Sequence, residues 1–207
     1  MSSSVDTPQR LGIYGGTFDP PHLGHLILAE TAADNLHLAQ VVFVPAAEPP
    51  HKAPRDVHAS AAHRLAMVER AIAGNSRFAL SRIDMDRPGP HYSVDMLHLL
   101  REEYRGAEFL FLIGSDSLRD LPTWSRPKEL LELASLGVML RHGVEPDLET
   151  LERKIPGVSQ RIAWIDAPTI EIASRVLVER IAAGRSVRYQ VPATVCEYIK
   201  EHKLYRK

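Results

Sequence analysis

Short apolar runs alternate with helix-like segments along almost the whole chain, and this alternation limits the possible folds more than any other feature of the sequence. Runs rich in Val, Ile, Leu and Phe predict buried strands at 11–14, 41–45, 78–83, 109–113, 137–140 and 162–165. Helical spacing and capping residues predict helices at 23–35, 60–73, 93–104, 128–134, 148–154 and 174–183, and from 192 onward. Strands that alternate with helices form parallel sheets covered on both faces, so we predict a doubly wound α/β fold. Ser60 and Ser93 are expected as N-caps, and Pro192 as the first residue of the last helix.

The composition of the chain and its first residues restrict the domain count, the partners and the compartment that we predict. Residues 1–9 are polar and predict a disordered tail, which leaves 10–207 as a single domain. No stretch approaches the ~18 consecutive apolar residues of a membrane span, and the formal net charge of -1 gives no basic field for nucleic acid. The lone Cys196 permits no internal disulfide, so we predict a core cysteine in a cytoplasmic protein. Assembly into a homo-oligomer stays open at this point.

The segment from Tyr14 to His25, YGGTFDPPHLGH, carries the first chemical signal. Gly15 and Gly16 follow a predicted strand, where glycine lets the backbone approach a ligand. His22 and His25 lie three residues apart at the start of a predicted helix, and a helix N-terminus favours an anion. Two imidazoles there suit phosphate oxygens, whereas zinc would need further ligands that the sequence does not place nearby. Since doubly wound sheets bind ligands at the carboxyl ends of their strands, the loops after the first, second and fourth strands are expected on one rim.

These twelve residues resemble the GxFDPxHxGH signature of the HxGH nucleotidyltransferase superfamily. Class I aminoacyl-tRNA synthetases share that superfamily, but they pair this motif with KMSKS, which is absent here, and they have far longer chains. The chain is more similar to the small members that transfer a nucleotide to a phosphate. The resemblance implies a Rossmann-like version of the doubly wound sheet.

Five further segments, in the same order, resemble nicotinate mononucleotide adenylyltransferases. These segments are PPHK at 49–52, AHRLAM at 62–67, GPHYSVD at 89–95, FLIGSDSLRDLPTW at 111–124 and GRSVRYQVP at 184–192. Within them, His91 stands where the family pattern has serine, and Ser93 stands where it has threonine. The resemblance covers residues 11–205, and six motifs in a fixed order make it specific.

The resemblance implies an adenylyltransferase of NAD biosynthesis, in which the phosphate of nicotinate mononucleotide attacks the α-phosphorus of ATP and pyrophosphate leaves. A phosphate dianion is already nucleophilic, so such a site mainly positions its substrates and neutralises charge. The implied catalytic residues are His22, His25 and Lys52, with Arg64 as a further cation. Mg²⁺, held by the ATP phosphates and water, is the implied cofactor, and no protein metal site is expected.

Two groups of substrate-binding residues follow from the same resemblance. The residues implied to bind ATP are Gly15, Gly16, Thr17, Phe18, Gly114, Asp116, Ser174 and Arg175. The residues implied to bind the mononucleotide are Tyr92, Ser93, Trp124 and Arg141. Trp124 is expected to stack on the pyridine ring, because flat aromatic faces suit that contact, and Asp116 to accept hydrogen bonds from ribose hydroxyls.

The sequence departs from the family's ATP-binding motif ISSTxIRxR, which here reads IASRVLVER at 172–180. Ala173 replaces a serine, and Val178 replaces an arginine that the family uses on the triphosphate. Arg175 precedes Val178 by three residues, so we hypothesise that it supplies the missing cation from the same helical face. Two alternatives stay open: a related enzyme whose acceptor is nicotinamide mononucleotide or phosphopantetheine, and a nucleotide-binding homologue with impaired catalysis.

Overall fold

A computed structural model of the chain describes residues 8–50, 53–140, 145–168 and 170–206. Six strands pair within this part: β1 (Arg10–Gly16), β2 (Gln40–Pro45), β3 (Phe78–Leu80), β4 (Glu108–Gly114), β5 (Ser135–Met139) and β6 (Ile162–Ile165). They form one parallel sheet in the order β3-β2-β1-β4-β5-β6. The predicted doubly wound, Rossmann-like sheet is therefore confirmed, with its change of winding direction between β1 and β4.

Eight α-helices of the described residues connect and cover these strands. They are α1 (Leu23–Asn35), α2 (Ala61–Ile72), α3 (Ser93–Glu103), α4 (Ser115–Asp120), α5 (Pro127–Leu133), α6 (Leu148–Lys154), α7 (Ser174–Ala182) and α8 (Ala193–Glu201). The described residues contain no helix whose length and apolar character would allow it to cross a membrane.

Alternate residues of each central strand enter different layers of the core. In β4, Phe109 and Phe111 pack into a cluster with α3, α5 and α6, whereas Leu110 and Leu112 pack into a cluster with α1 and α2. Successive side chains of a strand point to opposite faces of the sheet, so a continuous apolar run indicates burial on both faces. A third cluster joins α2, α7 and α8 beside the sheet, and Val195 is fully buried within it.

Several predicted boundaries differ from the observed ones. The strand predicted at 78–83 ends at Leu80, because β3 lies at the edge of the sheet and β2 offers it only three paired positions before Pro45. Tyr92, not Ser93, is the N-cap of α3, and Pro192 is the N-cap of α8, whose first helical residue is Ala193. Helix α4 was not predicted, since six mostly polar residues give no apolar periodicity.

The N-cap predicted at Ser60 is confirmed. Its side-chain hydroxyl accepts a hydrogen bond from the backbone N–H of His63 at 3.3 Å, which satisfies one donor in the first turn of α2. The predicted tail cannot be assessed in the same way, because residues 1–7 lie outside the described part of the chain.

Candidate active site

Two cavities open at the carboxyl ends of the central strands. The first, here the Trp124 cavity, has a volume of about 280 Å³, and the second, here the Asp116 cavity, has about 390 Å³. Tyr14 and His25 line both cavities. The loops after β1, β2 and β4 all contribute to the walls, which confirms that they share one rim of the sheet.

The Trp124 cavity gathers residues from both predicted substrate groups. Its described lining includes the predicted residues Gly15, Gly16, Thr17, Phe18, Ser93, Gly114 and Trp124. The Asp116 cavity is lined by the predicted residues His22, His25 and Asp116. The backbone segment after β1 that was assigned to ATP therefore lies in the same cavity as Trp124. The predicted residues Lys52 and Arg141 lie outside the described residues.

The two histidines form a stacked pair at the start of α1. Their ring centroids are 3.6 Å apart with an interplanar angle of 22°. His22 is the N-cap of the helix and is buried, and its backbone N–H donates to Nδ1 of His25 at 3.0 Å. A neutral His25 that accepts at Nδ1 carries its proton on Nε2 and can donate that proton to an oxygen. Because His25 lines both cavities, the pair can stabilise negative charge where they meet.

Glycine at position 24 makes this stacking possible. A Cβ atom on Gly24 would lie 3.1 Å from Cε1 and Nδ1 of the His22 ring. That separation is too short for a relaxed contact, so a larger residue would displace the ring. Gly24 of the HLGH segment therefore has a packing role, beside the chemical role of the two histidines.

Asp19 connects the loop after β1 to two distant parts of the chain. Its carboxylate accepts hydrogen bonds from the backbone N–H of His58 at 2.6 Å and from that of Ala59 at 3.2 Å. It also accepts from the hydroxyl of Tyr205 at 2.7 Å. Burial, reinforced by the charge of Asp19, raises the pKa of Tyr205 well above its ordinary value, so this phenol stays protonated and donates.

Arg64 is a buried clamp between loops. Its guanidinium donates to four backbone carbonyls: Thr17 at 2.9 Å, Ala46 at 2.6 Å, Ala47 at 2.7 Å and Ala59 at 3.2 Å. Only 1% of the residue is exposed. Burial lowers the pKa of Arg64, although nearby Asp19 opposes the shift. The prediction of a phosphate-binding cation here is therefore corrected: these donors already bind carbonyls and hold the loops after β1 and β2 together.

The segment before α3 contains buried polar residues that the sequence analysis did not select. Asp84 lines the Trp124 cavity and pairs with Arg87, whose Nη2 lies 2.6 Å from Oδ1. Burial raises the pKa of Asp84, and the hydrogen bond and charge of Arg87 partly oppose that shift. His91 lines the same cavity with 4% exposure. No periodicity marks Asp84, whereas His91 was visible only as a departure from the family pattern.

The aromatic residues of the site take different positions. Trp124 lines the cavity named after it and contacts Phe111 edge-on, with centroids 6.0 Å apart and an interplanar angle of 80°. Tyr92, by contrast, packs against the core cluster beneath α3 and is not part of the described lining of either cavity. A role of Tyr92 in binding the mononucleotide would therefore fall to its backbone.

The start of α7 differs from the expectation for an ATP-binding segment. Arg175 is exposed and pairs with Glu179 at 2.9 Å, and it is not part of the described lining of either cavity. Val178 is buried in the core, so the two side chains do not share an environment although three residues separate them. The structure thus does not bring Arg175 into the described lining of either cavity, and its role as a cation for the triphosphate stays a prediction. Ser174 donates its hydroxyl to the carbonyl of Pro20 at 2.9 Å and so anchors α7 to the loop after β1.

The Asp116 cavity has few charged groups. Asp116 and Glu171 are the carboxylates of its described lining, and that lining contains no Lys or Arg. Among all the described residues, including this cavity, no three His, Cys, Asp or Glu side chains converge as metal ligands. Mg²⁺ commonly binds one or two carboxylates together with substrate phosphates and water, and this donor set fits that mode.

The sequence matches known proteins along most of its length. The model of the cytidylyltransferase-like family matches residues 13–183. A Thermomicrobium roseum protein named "Probable nicotinate-nucleotide adenylyltransferase" is 53% identical over 197 residues, which cover 95% of this chain and 92% of that one. A protein of the same name from Synechococcus sp. (strain JA-3-3Ab) is 42% identical over 205 residues, covering 99% of each chain.

A solved structure supports the fold independently. The Plasmodium falciparum nicotinic acid mononucleotide adenylyltransferase complexed with NaAD matches with a TM-score of 0.77, at 20% identity, over 95% of this chain and 97% of that one. Its low identity limits this likeness to the architecture. The family model and the near end-to-end sequence identities go further, and they show that the chain belongs to the cytidylyltransferase-like family and, within it, to the nicotinate-nucleotide adenylyltransferases.

Proposed function

We propose that the protein transfers AMP from ATP to nicotinate mononucleotide, giving nicotinate adenine dinucleotide and pyrophosphate. One observation carries this proposal: His25, stacked on His22 at the start of α1, lines both cavities. Two substrates that occupied the two cavities would bring their phosphates together at this ring. The names of the related proteins support the same reaction.

The proposal assigns a substrate to each cavity. The Trp124 cavity takes nicotinate mononucleotide, with its pyridine ring against Trp124 and its carboxylate facing the backbone at Tyr92 and Ser93. The Asp116 cavity takes the nucleoside part of ATP, with Asp116 accepting hydrogen bonds from ribose hydroxyls. The phosphates lie between them, against the glycine-containing backbone at 15–18 and the histidine pair. Arg141 and Lys52 remain proposed contacts to the mononucleotide and the triphosphate.

The chemistry follows from the charges involved. An oxygen of the acceptor phosphate forms a bond to the α-phosphorus of ATP, and the bond from that phosphorus to the bridging oxygen of pyrophosphate breaks. The transition state carries extra negative charge on the α-phosphate oxygens. His22 and His25 would donate hydrogen bonds to that charge, and Lys52 would add a cation. No general base is needed, because the acceptor phosphate is largely dianionic near neutral pH.

Mg²⁺ is the proposed cofactor. When bound with ATP, it would neutralise phosphate charge and favour departure of pyrophosphate. Asp116 and Glu171 are the carboxylates available to it, directly or through water.

We propose a cytoplasmic setting for this reaction. The single cysteine supports it, since a chain with one thiol needs no oxidising compartment. The small-molecule substrates named above are the proposed partners.

The reaction can be tested by measuring pyrophosphate release from ATP and Mg²⁺ with three acceptors: nicotinate mononucleotide, nicotinamide mononucleotide and phosphopantetheine. We expect release with the nicotinate compound and its loss in His22→Ala, which removes one ring of the stacked pair. Thermal unfolding of this variant shows whether it is folded. Preferred turnover of either other acceptor would contradict the proposed specificity.

A second function is favoured by one specific observation. The family's ATP-binding motif is altered, because Val178 and Ala173 stand where the motif has an arginine and a serine. These features suit a nucleotide-binding homologue with impaired catalysis. Calorimetric binding of ATP without pyrophosphate release from any acceptor would support that alternative over the enzyme.

A further inference from the structure

His91 lies between two loops that line the Trp124 cavity. The residue is 4% exposed, and it stands where the family pattern has a serine. One loop, residues 46–50, follows β2, and the other, residues 84–92, precedes α3. Pro49 and Pro50 of the first loop and Asp84 of the second belong to the cavity lining together with His91 itself.

The hydrogen bonds of the imidazole identify what it connects. Nδ1 lies 3.3 Å from the carbonyl oxygen of Glu48, to which it donates when it carries the proton. Nε2 lies 3.2 Å from the carbonyl oxygen of Arg87, which can only accept, so the ring donates there when the proton is on Nε2. In the neutral ring, Nδ1 then accepts, and the backbone N–H of Glu48 donates to it at 3.1 Å. The Arg87 bond stays within one loop, whereas the Glu48 bond joins residues 43 positions apart in the sequence.

A second observation also shows that the two loops lie close together. A Cβ atom on Gly89 would lie 2.7 Å from Oε2 of Glu48 and 3.2 Å from Cε1 and Nδ1 of His91, so the two loops are close together here. Serine at position 91 would be too short to reach Glu48 from the same backbone position. The histidine ring therefore supplies a connection that the serine of the family pattern cannot make in this geometry.

We infer that His91 is a positioning residue for the acceptor substrate: through Glu48 it fixes the loop after β2 against the loop before α3 and so sets the width of the Trp124 cavity. The inference rests on the proposed function in naming nicotinate mononucleotide as the acceptor. With the connection intact, the cavity is formed before the mononucleotide binds. Without it, binding must also order the loop, so the KM for the acceptor rises.

Two near-isosteric variants separate the two hydrogen bonds. In His91→Asn the amide lies near the position of Nδ1 and its oxygen can still accept from Glu48. In His91→Gln the amide lies near the position of Nε2 and keeps only the bond to Arg87. We expect His91→Asn to retain the acceptor KM within about twofold, and His91→Gln to raise it about tenfold, the size expected for one lost hydrogen bond. The kcat and the KM for ATP should change less than twofold in both.

A purely structural role would lower thermal stability in both variants and would not produce this contrast. Equal acceptor KM values in the two variants, or an unchanged KM in His91→Gln, would overturn the inference. Amide hydrogen exchange at Glu48 in the unliganded protein provides a test that needs no turnover. We expect faster exchange in His91→Gln than in His91→Asn, and equal rates would also overturn the inference. If the wild type turns over no acceptor, the proposed function fails while the exchange experiment still decides the role of His91.

Discussion

The two cavities that meet at His25 are built in different ways. The walls of the Trp124 cavity include buried polar side chains with fixed partners, such as Asp84 with Arg87 and His91 with Glu48. The Asp116 cavity is bordered by exposed apolar side chains, with Leu140 at 51%, Ile170 at 37% and Val176 at 44% exposure. The Trp124 cavity thus contains polar groups that already have partners, whereas the Asp116 cavity presents apolar surface that a ligand can cover.

This difference suggests how two substrates are recognised at one junction. Buried polar groups discriminate strongly, because a ligand that leaves them unpaired loses their hydrogen bonds. Apolar walls are more tolerant and gain from being covered. Under the proposed function, we expect acceptor selectivity to depend on the Trp124 cavity, and ATP affinity to depend more on the backbone, on Asp116 and on the proposed metal.

The largest effect on activity is expected at His25, where the two cavities meet. Because His25 lines both cavities, His25→Ala should lower kcat/KM by about 10²–10³-fold, the cost of one lost donor to transition-state charge. Steady-state assays of pyrophosphate release would measure it, with His37→Asn as a control at an exposed histidine of positive φ. A loss confined to the KM of one substrate would contradict a shared role.

The second largest effect is expected at Trp124 and should change only the binding of the acceptor. Trp124→Ala should raise the KM for nicotinate mononucleotide about tenfold, because a stacking surface is lost, and should leave the KM for ATP within twofold. Trp164→Ala, at a half-exposed tryptophan of β6, is the matched control. An equal rise in both KM values would show that the cavities are not separate recognition sites.

A smaller effect, a gain in stability, is expected at Ala173, which lines the Asp116 cavity. Ala173 is the N-cap of α7 and provides no side-chain cap, so Ala173→Ser should raise the free energy of unfolding by about 1 kcal/mol. Urea unfolding would measure this gain, with Ala182→Ser at the last position of the same helix as the control. No gain over the control would mean that the new hydroxyl faces the cavity instead of the helix.

The smallest effect is expected at Arg175. Its guanidinium is exposed and pairs with Glu179, so Arg175→Ala should change kcat/KM less than twofold and stability by about 0.3–0.5 kcal/mol. The assay of pyrophosphate release measures the first value and urea unfolding the second. A tenfold loss of activity with unchanged stability would instead place Arg175 on the triphosphate when ATP is bound.

The sequence was informative wherever a pattern had a direct physical meaning. The apolar run at 109–113 predicted a buried central strand, and helix α1 begins and ends where its spacing indicated. His22 and His25 lie at the start of α1, where their spacing indicated, and the structure adds that their rings are stacked. These features depend on residues that are close in the sequence, so they can be predicted from short segments.

Contacts between residues far apart in the sequence could not be predicted from short segments. Arg64 resembles a substrate-binding cation in the sequence, and only the approach of the loops after β1 and β2 shows that it binds their carbonyls. Arg175 and Val178 share a helical spacing, but the packing of α7 separates their environments. The importance of Asp84 likewise depends on its burial beside the cavity, which no periodicity encodes.

The hydrogen bond from Tyr205 to Asp19 joins residues 186 positions apart, across nearly the full length of the chain. During synthesis the histidine pair and its loop are therefore made long before the hydroxyl that holds Asp19. A chain released before Tyr205 lacks this donor at the base of the loop that carries the histidine pair. That loop is therefore held by all of its hydrogen bonds only in a chain that extends through residue 205.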